Sequence, residues 1–218
     1  MDQFASARAE MVELQLRARG IRDERVLAAM YSVPRHLFVP QDQKSRAYWD
    51  RPLSIGHGQT ISQPYVVALT CELLESAENG KILEVGAGSG YAAAVLAQLA
   101  DQVVTLERFP DIARLARENL EKAGCSNVEV LCTDGTLGCP AKAPFDAIAV
   151  AAGAPMVPDS LKTQLKVGGS LVIPVGQSRR LQDLLRVRRI SEAAFETDTH
   201  GTVSYVPLVG AEGWTVWD

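Results

Sequence analysis

The sequence predicts an α/β protein built on a doubly wound, mostly parallel seven-stranded sheet, with helices on both faces and a helical extension at the N-terminus. Three observations carry that prediction. From Lys81 onward short apolar runs alternate with helical stretches, a glycine-rich bend follows the first of those runs, and the first 60 residues lack the alternation altogether. Strands that alternate with helices form right-handed crossover units, and these build a parallel sheet covered on both faces.

In chain order, Phe4, Val12, Leu14, Leu16 and Ile21 pepper a polar stretch in a helical pattern that Gly20 would stop. Asp23 suits the N-cap of a short helix through Met30, and Val33-Pro34 ends it because a residue before proline is pushed out of the α region. Pro40, Pro52, Gly56 and Gly58 mark loops. Residues 1–60 are therefore expected to form a helical cap and substrate-side segment, and residues 61–218 the main domain, joined in one compact unit. An apolar helix is expected over 65–74, and Ser62, just ahead of Gln63-Pro64, suits its N-cap.

The repeating part begins with a buried strand at 81–85, the glycine-rich turn and a helix over 91–100. A strand at 103–107 leads to a helix over 110–123, whose proline sits in the first turn where its missing N–H costs nothing. Strands at 128–132 and 145–150, a short helix over 158–165 and a strand at 169–174 follow. Two closing strands, 184–190 and 203–208, have no helix of obvious length between them, so the sheet should end antiparallel. Trp214 and Trp217 near the end would pack on the domain or on a neighbour.

The chain has 218 residues, of which 47% are hydrophobic and 22% charged, enough to bury a sizeable core. A net charge of −4 argues against a nucleic-acid partner. The run Arg179, Arg180, Arg186, Arg188 and Arg189 reads as the solvated face of a late strand, since Leu184, Leu185, Val187 and Ile190 interleave with it. Cys71, Cys125, Cys132 and Cys139 show no close C-x-x-C spacing, and His36, His57 and His200 lie far apart, so no metal site is expected and the thiols should be reduced. The N-terminus lacks the apolar core of a signal peptide, and no apolar run could span a bilayer. The expectation is a cytoplasmic monomer with no membrane partner.

The sharpest feature is Leu83-Glu84-Val85-Gly86-Ala87-Gly88-Ser89-Gly90-Tyr91, a strand running into a glycine turn that opens a helix. Glycines there allow a tight turn and close approach of a ligand at the carboxyl end of the strand. A dinucleotide site is the competitor, but its fingerprint is G-x-G-x-x-G, whereas this turn reads G-x-G-x-G. Glu84 just before the turn would repel a pyrophosphate and attract the amino group or sulfonium of S-adenosyl-L-methionine. Glu107 closes the next strand, where a carboxylate can accept from both ribose hydroxyls. Asp134-Gly135 follows the third strand; it could meet an adenine amino group or be a plain Asp-Gly turn.

This set resembles the class I S-adenosylmethionine methyltransferases, whose core is Rossmann-like. A second set narrows the resemblance to the protein-L-isoaspartate O-methyltransferases: residues 52–64 (PLSIGHGQTISQP), 33–40 (VPRHLFVP), 144–148 (PFDAI), 165–176 (LKVGGSLVIPVG) and 203–208 (VSYVPL). It covers nearly the whole chain. The resemblance implies a repair enzyme that methylates the α-carboxylate of L-isoaspartyl, and by the same pattern D-aspartyl, residues of damaged proteins, and so starts conversion through a succinimide. It implies Ser62 and Thr60 at the catalytic position, and Glu84, Gly86, Ala87, Gly88, Gly90, Glu107, Arg108, Asp134 and Gly135 around the methyl donor. Gln59, Val206, Pro207 and Leu208 would border the peptide, and His57 could touch it as well or simply pack within its loop. Two departures stand out: Thr133 replaces the first glycine of Gly-Asp-Gly, and Ser204-Tyr205 replaces the usual Arg-Phe.

A carboxylate acceptor with a pKa of about 3.5 is ionised at neutral pH, so no general base is required. That agrees with the lack of any His–Asp or Cys–His arrangement. Ser62 could hydrogen-bond the acceptor without quenching its charge, or it could cap the following helix. The rival readings are a methyltransferase of other substrates, a non-catalytic binding module and a nicotinamide-dependent oxidoreductase.

Overall fold

The computed structural model describes residues 3–75 and 80–215. The N-terminal helix α1 (Ala5–Glu10) continues through a wider turn (Met11–Leu16) and a tight one (Arg17–Arg19), and stops at Gly20 with φ 106°. Helix α2 (Glu24–Ser32) is capped by Asp23, whose side chain accepts from the Arg25 N–H at 2.8 Å, and it ends at extended Val33 before Pro34. A hairpin of β1 (Leu53–Gly56) and β2 (Gln59–Ile61) then leads into α3 (Pro64–Leu74).

The main sheet contains β3 (Lys81–Val85), β4 (Gln102–Glu107), β5 (Val128–Cys132), β6 (Phe145–Val150), β7 (Leu165–Ser178), β8 (Leu181–Arg189) and β9 (Phe195–Val203). Its order is β5-β4-β3-β6-β7-β8-β9. The strands from β5 through β7 are parallel, and β8 and β9 add antiparallel. Helices α4 (Tyr91–Leu96), α5 (Pro110–Lys122) and α6 (Asp159–Thr163) connect the strands. The central strands β3 and β6 are almost wholly buried because both their faces are covered. Met11, Leu16, Leu27 and Met30 of the N-terminal part share a continuous buried core with Ala68, Ile82 and Val103.

The seven-stranded, mostly parallel sheet, its antiparallel finish and the N-terminal helices all follow the sequence reading. The last strand does not. It lies at Phe195–Val203 rather than 203–208, because an edge strand with a largely exposed, polar alternation carries little apolar signal. Residues 205–209 instead cross the carboxyl end of the sheet, where Pro207 makes an isolated parallel bridge with Gly153. Other bounds also move: α4 and α6 are shorter than expected, α2 runs on to Ser32, β7 runs through both ends of the apolar stretch at 169–174, and β8 starts at Leu181 rather than 184. Trp214 packs on the domain, its Nε1 donating to the Gly153 carbonyl at 2.9 Å. Trp217 lies outside the described residues.

Candidate active site

A cleft opens at the carboxyl ends of β3, β4 and β6, where the strand order reverses. One wall is the glycine bend. Gly86 and Ala87 donate their N–H groups to the Leu106 carbonyl at 2.8 and 3.0 Å, which folds the bend back over β4. Gly90 needs its left-handed φ of 88°, and a Cβ there would press on Leu120 at 3.1 Å. Gly135 closes the floor, where a Cβ would lie 2.5 Å from Val85 Cγ1. Any larger residue would push the floor off the strand.

Glu107, 7% exposed, lines this cleft. Its Oε2 accepts from the Gly88 N–H at 3.0 Å and its Oε1 from the Phe109 N–H at 3.1 Å. A carboxylate has about four lone-pair sites, so two remain for a ligand's hydroxyls. Arg108 also lines the cleft and reaches the Val209 carbonyl at 3.3 Å, which joins the two walls.

The opposite wall holds Gln59, Thr60 and Ser62 from the hairpin, and Val206, Pro207 and Leu208 from the C-terminal segment. That segment is pinned by Gly153, whose N–H donates to the Val206 carbonyl and whose carbonyl accepts from the Leu208 N–H, both at 2.8 Å. Buried Gln182 of β8 accepts from the Tyr205 N–H at 2.8 Å. His57 sits in the hairpin turn with φ 53°, exposed and outside the cleft lining.

Ser62 does not cap α3. The cap is Gln63, which makes no side-chain capping bond, and the Tyr65 N–H is satisfied instead by Asp50 Oδ1 at 3.1 Å. Asp50 Oδ2 also accepts from the Gln63 side chain at 2.8 Å. A distant carboxylate therefore does the capping, and Ser62 lines both the cleft and the small cavity behind it, beside Tyr205. The capping role that the sequence offered for Ser62 is removed by a contact that no local pattern reveals.

Three expected cofactor residues lie behind the cleft rather than on it: Gly90, which packs against Leu120, and the acids Glu84 and Asp134. Glu84 is 1% exposed and faces the helical layer, because side chains alternate along β3 and only its neighbours Leu83 and Val85 turn the other way. It accepts from the Thr105 hydroxyl of β4, and its second oxygen is buried without a hydrogen-bond partner. Burial pushes its pKa up to about 8, against the Thr105 bond and with the help of Glu107. It lines a small adjoining cavity with Ser62, Thr70 and Tyr205. The Tyr205 hydroxyl is buried there beside Ser62 and Thr70, and that burial pushes its pKa up to about 12.

Asp134 is occupied within the protein. Its Oδ1 accepts from the Thr136 N–H and hydroxyl at 3.0 and 2.7 Å, and its Oδ2 from the Ala211 N–H at 2.8 Å. Partial burial raises its pKa, but the bonds from Ala211 and Thr136 more than offset this and hold it below the usual carboxylate range. Its neighbour Gly135, not Asp134, lines the cleft.

Sequence reasoning missed Phe109, Ala151 and Ala152, which line the cleft, and Arg35 and Asp50, which hold the acceptor wall from behind. Among the described residues no helix is long and apolar enough to cross a membrane, and no three His, Cys, Asp or Glu side chains gather as metal ligands.

Comparison with known proteins gives a consistent picture. The family profile described as protein-L-isoaspartate(D-aspartate) O-methyltransferase matches residues 6–213. A protein-L-isoaspartate O-methyltransferase 2 from Marinobacter nauticus is 55% identical over 211 residues, 97% of this chain and 96% of that protein. A protein-L-isoaspartate O-methyltransferase from Methanoculleus marisnigri is 56% identical over 207 residues, 95% of this chain and 93% of that protein. A solved protein-L-isoaspartate O-methyltransferase superposes with a TM-score of 0.85 at 29% identity, covering 94% of this chain and 67% of the other. A structure from Plasmodium falciparum, described as a protein-L-isoaspartate O-methyltransferase in complex with S-adenosyl-L-homocysteine, superposes with a TM-score of 0.79 at 26% identity, covering 93% of this chain and 98% of the other.

Proposed function

The chain belongs to the protein-L-isoaspartate(D-aspartate) O-methyltransferase family, and from that membership we propose how its own residues carry a methyl group from S-adenosyl-L-methionine to the α-carboxylate of L-isoaspartyl residues in damaged proteins. The observation that carries the proposal is that the glycine bend and Glu107 share one cleft with Thr60, Ser62 and the 206–208 segment. A donor site and an acceptor site face each other across it.

The residues present fit the donor. Gly86, Ala87 and Gly88 offer backbone without side chains, Gly135 leaves the floor clear, and Glu107 is pre-oriented by two backbone N–H groups. These residues and Arg108 would hold it, with Glu84 acting from behind the wall and Asp134 bracing Gly135. When bound, S-adenosyl-L-methionine supplies a methyl group activated by a positive sulfur.

The acceptor needs orientation rather than activation, since its carboxylate is already ionised. Ser62 donates a hydrogen bond to one carboxylate oxygen and leaves the charge in place. Thr60 and Gln59 border the peptide at the hairpin, with His57 at its rim, and Val206, Pro207 and Leu208 border it on the C-terminal side. Ile61, Val67 and Leu106 give the cleft apolar lining, which excludes water. Alignment of this kind lowers a barrier by up to about 7–11 kcal/mol. Residues 1–60 act as the acceptor-side extension and residues 61–218 as the donor-binding domain.

The test is methyl transfer from radiolabelled S-adenosyl-L-methionine to an isoaspartyl peptide and to its aspartyl twin. Label in the isoaspartyl peptide alone supports the proposal. Equal label in both peptides, or in neither, contradicts it.

A further inference from the structure

Behind the Ser62 loop lies a charge that the reaction described above does not use. Arg35, in the turn after Pro34, has no exposed surface. Its Nε donates to the Ala47 carbonyl and its Nη2 to the Ser62 carbonyl, both at 2.7 Å. The guanidinium lies over the Tyr91 ring, 4.6 Å from its centroid, and the remaining nitrogen, Nη1, is buried with no hydrogen-bond partner. Among the described residues no carboxylate pairs with it directly.

Burying a guanidinium without a counter-charge is costly, and two carbonyls could be tethered by less expensive means. What the guanidinium adds is a rigid planar fork that spans separate parts of the chain. Tyr91 opens α4 just after the glycine bend, Ala47 belongs to the N-terminal part, and Ser62 stands on the acceptor wall. One side chain thus bonds the N-terminal part to the acceptor loop and rests on the Tyr91 ring without bonding the glycine bend. It grips Ser62 by the carbonyl, on the main chain, and makes no bond to the hydroxyl.

We propose that Arg35 is a positioning residue for methyl transfer: by fixing the Ser62 carbonyl it sets the direction in which the Ser62 hydroxyl meets the acceptor carboxylate. This rests on the reading of Ser62 given above. An orientation error of about an ångström at a reacting centre can cost on the order of a hundredfold in rate. The effect falls on turnover rather than on donor binding, because the glycine bend is held by the sheet.

The test is a double-mutant cycle of Arg35→Met with Ser62→Ala, and Arg35→Lys as the conservative partner. Calorimetric binding of S-adenosyl-L-homocysteine and thermal melting report on the fold and the donor wall. Folded Arg35→Met should bind that product within about twofold of wild type and lose at least about tenfold in kcat on an isoaspartyl peptide, with Arg35→Lys between the two. In the Ser62→Ala background the same substitution should cost less than about twofold, because an effect carried through Ser62 disappears with its hydroxyl. If Arg35→Met does not fold, Arg35→Lys carries the cycle with the same expected pattern. Wild-type turnover in the folded Arg35 variant, or a loss that multiplies in full with Ser62→Ala, would overturn the proposal. Wild-type turnover in Ser62→Ala alone would instead remove the reading of Ser62 on which it stands.

Discussion

The donor wall of the cleft is held by bonds between neighbouring strands, Gly86 and Ala87 to Leu106 and Ala151 to Val85, whereas the acceptor wall is held by side chains reaching across the fold. Arg35 grips Ser62 from 27 residues away and Asp50 caps α3 from 15 residues away. The first arrangement comes with the parallel sheet itself, since any strand order that reverses leaves a crevice there. The second is specific to this chain and uses polar groups of the N-terminal part. The two walls should therefore be separable: substitutions on one should move donor affinity, and substitutions behind the other should move turnover and peptide affinity.

The largest effect is expected at Glu107. Glu107→Ala removes the carboxylate oriented by Gly88 and Phe109, and S-adenosyl-L-homocysteine affinity measured by calorimetry should fall about a hundredfold. The peptide KM at saturating donor should hold. A parallel rise in peptide KM would show that the walls are coupled.

A smaller effect is expected at Asp50, on the other side of the comparison. Asp50→Ala strips the cap from Tyr65 and the bond to the Gln63 side chain, costing about 1 kcal/mol and lowering the melting temperature by roughly 2–4 °C. The peptide KM should rise about threefold, with product affinity unchanged. Loss of product affinity instead would place the cap in service of the donor wall.

The smallest effect concerns Glu84, which sits behind the cleft. Its folded pKa of about 8 lies above the ordinary value of 4.5. Between those values the folded protein keeps a proton that the unfolded chain has shed, so the stability contributed by this group is fully present below about pH 4.5 and is lost as pH rises toward 8. Glu84→Gln keeps an acceptor for Thr105 but cannot ionise. Its melting temperature relative to wild type should therefore be higher at pH 8 than at pH 5, by about 2 °C or more. An equal difference at both pH values would show that Glu84 carries its charge at neutrality.

The same contrast explains what could be read from the sequence. Strands β3, β5 and β6 have the predicted bounds, because each is a short run rich in β-branched and other apolar residues set between polar or turn residues. The Asp23 cap and the Gly20 stop were legible for equally local reasons. Gly86, Ala87, Gly88 and Glu107 border one cleft together with Thr60, Ser62 and the 206–208 segment that the family resemblance supplied. What failed was everything set by tertiary partners. The edge strand β9 alternates polar residues and was displaced onto the more apolar 203–208. The facing of Glu84 depends on which side of β3 meets α3 and α4, whose residues line the cavity beside it, and the occupation of Asp134 depends on Ala211, 77 residues on. Arg35 looked like one letter of a motif, and only the fold shows its buried fork.

Single-turnover methyl transfer by Ser62→Ala, measured beside calorimetric binding of S-adenosyl-L-homocysteine, tests the separation of the walls most directly. The expected result is product affinity within about twofold of wild type, with the rate on an isoaspartyl peptide down by about a hundredfold. An unchanged rate, or a rate and an affinity that fall together, would contradict it.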